Sequence, residues 1–366
     1  MFIALLLAAC QDDNAPELPE ELDCILNLEL TDIDFRNFGM GFSSWPYGPE
    51  PEQVQETYEF IGANGDLYAE QLDENIPWRS WINGEELPEA FLENLYFRRS
   101  NAPADLPLLL SVSLLNLEKT ELMSDYDGQV PDYTSLADEQ LADAYFTHLD
   151  FLIRFFEPVA VVIGTEANEF LAKRPEKWQG YTQLMDNVRA RLRETFPSLP
   201  LAESVTLHRW AAPEVADPVT YQETVTDYLQ EGDFAAICFH PFLRNWRSTT
   251  QFQLVFDFLH ERTDLPIAIV ETSHLGDDLI FESAGVTIES DECQQQRYLE
   301  TLLINAQRQR YALVLWWAHR DYDALLEIFP PEFREIGGVW KDTGLLTEEG
   351  RPRMALEMWQ YILERN

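Results

Sequence analysis

The sequence predicts an α/β protein whose main domain is a single (β/α)8 barrel (TIM barrel). Three observations lead there. A short apolar run with a polar or aromatic exit, followed by an amphipathic helical stretch, recurs eight times. No stretch rich in glycine, proline or serine interrupts the series to mark a second domain. Finally, 366 residues suit a barrel of eight such units. An open doubly wound sheet is the competitor. It usually has fewer strands and often a glycine-rich first turn, and no GxGxxG occurs in this chain.

The units follow one another in order. "GMGFSSWPYG" (39–48) reads as the first strand and exit, and "PEQVQETYEFIGANG" as its helix. "DLYAEQLDEN" (66–75) comes next, with a helix near "ELPEAFLENLYFRR". "LPLLLSVSLLN" (106–116) leads through a loop to the long helical pattern of 135–157. The fourth strand, "VAVVIGTEANEF" (159–170), precedes a helix over 175–197, and "LAESVTLHRW" (201–210) precedes one over 220–232. "FAAICFHPFLRNW" (234–246) and "LPIAIVETSHLG" (265–276) lead to helices over 249–263 and 291–310. "YALVLWWAHRDYD" (311–323) is the last strand, and 351–365 the closing helix.

Composition narrows the partners. Against 25 basic residues stand 65 acidic ones, a formal charge of −40 spread along the whole chain. Phosphate backbones would be repelled, so nucleic acid is excluded as a partner, whereas a neutral or cationic ligand is acceptable. Aromatics make up 13% of the chain, enough for both a filled core and an aromatic-lined surface. "MFIALLLAAC" is too short to span a bilayer and reads as a signal peptide closing on a lipobox, with Cys10 as the lipidated residue. The expected organisation is therefore a signal over 1–10, an acidic tether and extension over 11–34, and the barrel over 35–366. A cell-envelope location, anchored to a bacterial membrane by lipid alone or secreted, goes with it. Of the other cysteines, Cys238 in "AAICF" reads as a small buried hydrophobe, and Cys24 and Cys293 are able to pair. No metal-ligand spacing and no Ser-His-Asp order appears, so neither metal nor cofactor is expected.

In a barrel, catalytic groups stand where strands run into their following loops. Those exits carry Trp45; Glu70 and Asp73; Asn116; Glu166, Asn168 and Glu169; His208 and Trp210; His240; Glu271 and His274; and Trp316, Trp317 and His319. Carboxylates at exits four and seven, with indoles at exits one, five and eight, suit glycosidic bond cleavage. One acid protonates the leaving oxygen and the other attacks or stabilises the oxocarbenium-like carbon. Indole faces stack on the C–H face of a sugar, while imidazoles and amides meet its hydroxyls. Substrate contacts are expected from Trp45, Glu70, Asp73, Asn168, His208, His240, Trp316 and Trp317. Glu169 reads as a structural cap or as a partner with a raised pKa. His148 lies on the apolar face of its helix and reads as structural.

Gly164-Thr165-Glu166-Ala167-Asn168 and Ile269-Val270-Glu271-Thr272 resemble the acid/base and nucleophile strands of the clan A glycoside hydrolases, with the galactanase and β-glucanase families nearest. His240 in "FHPF" is similar to the histidine of the clan's H-x-Y motif, and Trp316 or Trp317 to its strand-eight tryptophan. The resemblance implies a retaining, endo-acting glycoside hydrolase working as a monomer on a β-linked poly- or oligosaccharide. Glu166 would be the acid/base and Glu271 the nucleophile. Two positions depart from the pattern. Thr165 stands where the clan has asparagine, a donor to the sugar that Asn168 would have to replace. Phe242 stands where the clan has the tyrosine that bonds the nucleophile, leaving His274 or Tyr322 as replacements. These departures keep open a second reading, a catalytically silent barrel that binds glycans at the cell surface.

Overall fold

The computed structural model describes residues 30, 32–281, 285–330, 334 and 337–365. Cys10, Cys24 and nearly all of the expected signal and tether lie outside the described residues. No helix among the described residues is long and apolar enough to cross a membrane.

The strands, in chain order, are β1 (Gly39–Ser43), β2 (Leu67–Leu72), β3 (Leu108–Val112), β4 (Ala160–Val162), β5 (Leu201–Ala202), β6 (Ser204–Thr206), β7 (Ala235–Phe239), β8 (Ile267–Thr272), β9 (Leu279–Phe281), β10 (Val286–Ile288) and β11 (Leu313–Trp316). Each of the eight expected strands is present. The fold groups them into two compact units. One comprises Leu67–Cys238 and Arg262–Ala268; the other comprises the residues through Asp66, Phe239–Glu261 and those from Ile269 onward.

In the first unit β2, β3, β4 and β5 pair in parallel, with Glu70 opposite Leu110, Leu110 opposite Val161, and Val161 opposite Leu201. β6 pairs with β7 in the same sense. Parallel neighbours need a crossover, and helices supply it. Glu139–Phe156 joins β3 to β4. Its Asp138 N-cap accepts from the Gln140 amide at 2.9 Å, and Leu141, Tyr145, His148, Leu149, Leu152 and Phe156 form its buried stripe. Trp178–Thr195 returns from β4 to β5, burying Tyr181, Leu184, Met185, Val188 and Leu192. The fifth strand is divided at Glu203. Its carboxylate leaves the sheet for a buried pair with Arg189, Oε1 to Nη2 at 2.5 Å, and Ser204 resumes pairing by donating its amide to the Gly164 carbonyl. Burial raises the Glu203 pKa to about 6 against the opposing pull of Arg189. Beyond Thr206 the chain coils into the helix Leu207–Ala211, where the sequence reads as strand continuing to Trp210.

In the second unit β1 pairs in parallel with β11, Phe42 opposite Trp316. Phe42 packs against Trp359 of the helix Met354–Leu363 with ring centroids 4.7 Å apart, and the Trp359 indole donates to the Asn64 carbonyl at 2.8 Å. Thr249–His260 starts with a capping box between Ser248 and Gln251. Glu292–Gln309 starts at Asp291, which accepts from the Gln294 amide. The antiparallel β9–β10 hairpin was not expected. It closes an apolar cluster with Phe242, Leu275 and Val339. Cys238 is a buried thiol whose Sγ lies 3.5 Å from Ser204 Oγ. Cys293 is disulfide-bonded, and its partner lies outside the described residues.

Candidate active site

The strand-four acid is built by a backbone corner. After β4 the chain runs through Gly164 and Thr165 to Glu166, whose φ of 55° is left-handed, and the helix Ala167–Lys173 begins there. A β-carbon disfavours that conformation, so surrounding contacts must hold it. One is the Glu166 amide, which donates to Ser204 Oγ at 2.9 Å. The carboxylate is about one-third exposed, and Lys119 Nζ lies 3.4 Å from its Oε2. Lys119 is itself buried and left-handed, and it also reaches Thr165 Oγ1 at 3.0 Å. Burial works against its positive charge, but the carboxylates of Glu166 and Asp73 prevail and raise its pKa. Ser113 bonds both Asp73 and Thr165. A chain of polar contacts thus runs Asp73–Ser113–Thr165–Lys119–Glu166.

The neighbours of Glu166 have structural partners. Asn168 grips the β6 backbone, donating to the Thr206 carbonyl at 3.0 Å and accepting its amide at 2.7 Å. Glu169 is buried against Arg209 Nε (3.1 Å), Lys173 Nζ (3.2 Å) and Thr206 Oγ1 (3.0 Å). Desolvation pushes its pKa up, yet the cations overcome it and hold it at about 2. A raised pKa for Glu169, one of the two sequence expectations, is therefore corrected to a lowered one. Glu70 lies within β2, fully buried and 2.9 Å from Arg98 Nη1. Asp73, just past β2, is exposed. His208 is buried on the helical turn after β6.

The strand-seven acid belongs to the second unit. Glu271 lies in β8 with its side chain about one-fifth exposed. His240 Nε2 lies 2.9 Å from Glu271 Oε1, and His240 Nδ1 lies 2.9 Å from Ser273 Oγ. The residues proposed to replace the missing tyrosine have other partners. Tyr322 donates its hydroxyl to the Gly337 carbonyl at 2.8 Å. His274 is buried among Phe242, Phe252 and Tyr298, and burial lowers its pKa to about 4. Phe242 is core.

The aromatic exits separate into core and surface. Trp316 is completely buried and donates to the Thr343 carbonyl at 3.0 Å. Trp317 is half-buried and packs on Trp45 with centroids 4.9 Å apart, and Tyr322 packs edge-on against Trp45. Among the described residues, Asp277, Asp321 and Asp342 have metal-like spacing. The Arg353 guanidinium bonds both Asp277 and Asp321, so the chain supplies the cation there. Sequence reading missed Lys119, Ser113 and Ser273. The first two signal themselves only by lying near the strand-three exit, and Ser273 by following Glu271 at two residues.

No family model and no curated protein matches the chain. Solved structures do. The GH5_18 protein of Streptomyces cattleya, determined in complex with GlcNAc, is 13% identical with a TM-score of 0.64 over 90% of this chain and 80% of that one. The exo-β-1,4-mannosidase Op5Man5 from Opitutaceae bacterium strain TAV5 is 12% identical with a TM-score of 0.61, over 90% of this chain and 60% of that one. The GH53 catalytic domain of Ignisphaera aggregans is 12% identical with a TM-score of 0.57, over 89% and 96%. The chain has the (β/α)8 barrel fold of these clan A glycoside hydrolases.

Proposed function

We propose that the protein is a retaining glycoside hydrolase acting on a β-linked saccharide, with Glu271 as nucleophile and Glu166 as general acid/base. The observation that carries this reading is the placement of these two glutamates. Each retains partial exposure at the end of its own strand, the fourth or the seventh, which is where a barrel of this kind carries its catalytic groups. Two neighbouring acids, Glu70 and Glu169, are instead buried in ion pairs.

In the first step the Glu271 carboxylate attacks the anomeric carbon while Glu166 gives its proton to the departing glycosidic oxygen. In the second, Glu166 takes a proton from water, whose oxygen displaces Glu271 and restores the carboxylate. Trp317 and Trp45 form the aromatic wall on which a sugar face stacks. Solved proteins of this fold bind GlcNAc and Manβ1-4GlcNAc, which favours a neutral oligosaccharide. Both exo and endo action fit this scheme. We read Cys10 as a lipid anchor that holds the enzyme at the cell envelope.

The test is covalent trapping. A soluble form starting after Cys10 is incubated with activated 2-fluoro β-glycosides of several sugars, and intact mass and peptide mapping locate the adduct. An adduct on Glu271 is expected. If no sugar labels the protein and no product is released from polysaccharides it binds, the silent glycan-binding barrel is the better reading. Thr165 and Phe242 are what favour that alternative.

A further inference from the structure

We propose that His240 is the positioning residue of Glu271, donating its Nε2 proton to Oε1 and so taking the place of the hydroxyl that Phe242 lacks. This inference rests on the retaining reading above and adds to it a residue that acts through the nucleophile.

The argument starts from what a neutral imidazole can do. It carries one N–H donor and one acceptor, and each ring nitrogen here has one polar neighbour at 2.9 Å. An ionised carboxylate accepts only, so Nε2 must be the donor to Glu271. Nδ1 is then the acceptor, and it receives the hydroxyl proton of Ser273. The Glu271 carboxylate thereby selects the tautomer, Ser273 holds it by donating to Nδ1, and the order Ser273–His240–Glu271 has one consistent proton arrangement. Rigidity supports it. His240 is 2% exposed and sits between β7 and the short helix Pro241–Arg244. Its ring meets Phe242 and Trp340 edge-on, at 5.9 and 6.2 Å between centroids. No second orientation of the ring keeps both bonds. The two residues nominated by sequence for this task, His274 and Tyr322, are bonded to the backbone of Leu275 and Gly337 instead.

The consequence for the reaction follows from where charge sits. With Oε1 engaged by His240, the second oxygen of Glu271 is the one that forms the bond to the anomeric carbon. While that ester exists, Oε1 is a neutral carbonyl and the hydrogen bond is weak. When water displaces the carboxylate, negative charge returns to Glu271 and the bond strengthens. His240 therefore stabilises the departing carboxylate in the second step more than it assists attack in the first.

The experiment compares the wild type with His240→Phe, His240→Gln and Ser273→Ala, using the 2-fluoro adduct. Each purified variant is trapped, freed of reagent, and followed for return of activity. His240→Phe is expected to reactivate at least tenfold more slowly while labelling slows less, and in steady state kcat and KM fall together as the glycosyl-enzyme accumulates. His240→Gln, whose amide still donates, recovers part of the rate, and Ser273→Ala gives a smaller defect of the same kind. A purely structural histidine would lower labelling and reactivation alike, with no rescue by glutamine. That result, or wild-type reactivation in both His240 variants, overturns the inference while an adduct on Glu271 leaves the retaining reading intact. Failure of the wild type to form any adduct removes both.

Discussion

The ammonium of Lys119 lies 3.4 Å from Oε2 of Glu166 and 3.0 Å from Oγ1 of Thr165. A cation at that distance favours the ionised carboxylate, whereas a general acid must be protonated when substrate arrives. On the proposed assignment of Glu166 as general acid, Lys119 would narrow the alkaline side of the activity profile. Replacing it with methionine removes the cation and leaves a carboxylate that still reaches solvent. The basic limb of kcat/KM should move to higher pH by about one unit. A pH profile of Lys119→Met against wild type decides this, and a limb that stays in place would separate Lys119 from acid catalysis.

Glu169 makes a different, structural prediction. Its carboxyl titrates at about 2 in the fold, against 4.5 for the ordinary group. The folded pKa is depressed, so its contribution is fully present above about 4.5 and is lost as pH falls toward 2. The shift corresponds to stabilisation on the order of 3 kcal/mol. Glu169→Gln should lower stability at neutral pH by a similar amount and flatten the acid side of the stability curve. Urea midpoints at pH 7, 4 and 3 measure both effects.

These two acids show how far sequence reaches. An aliphatic run followed by a carboxylate is legible because strands are apolar inside and end at water. The partners that decide each acid's task come from distant segments. Lys119 lies in a loop and Arg209 on a helical turn that reads as strand, so neither pairing has a local pattern. Glu70 looks like an exit residue, yet it lies within β2 and is neutralised by Arg98 from the helix Glu89–Asn101. The division of the fifth strand depends on the ion pair of Glu203 with Arg189, which periodicity does not encode.

Trp316 and Trp317 are adjacent, and a strand sends neighbouring side chains to opposite faces. The structure buries Trp316 and leaves Trp317 half-exposed against Trp45. Trp317→Ala is expected to raise KM five- to tenfold, about 1 kcal/mol of lost aromatic contact, with little change in unfolding midpoint. Trp316→Ala should instead cost about 3–5 kcal/mol of stability through the cavity it leaves. Measuring KM and unfolding midpoint for both variants tests the division, and an exchange of the two phenotypes would reverse it.

The two glutamates are separable by chemical rescue. In Glu271→Ala the attacking group is gone, and activity should fall by several orders of magnitude. Added azide enters the space left by the side chain and attacks the same face, giving a glycosyl azide of inverted configuration. In Glu166→Ala the nucleophile survives, so substrates with good leaving groups still glycosylate it. Natural linkages, which need the proton, should slow by about 10²–10⁴-fold. Azide then takes the place of water in the second step and yields a glycosyl azide of retained configuration. Proton NMR of the two azide products reads the configuration directly. Opposite configurations assign the roles as proposed, and the same configuration from both variants would reject the assignment.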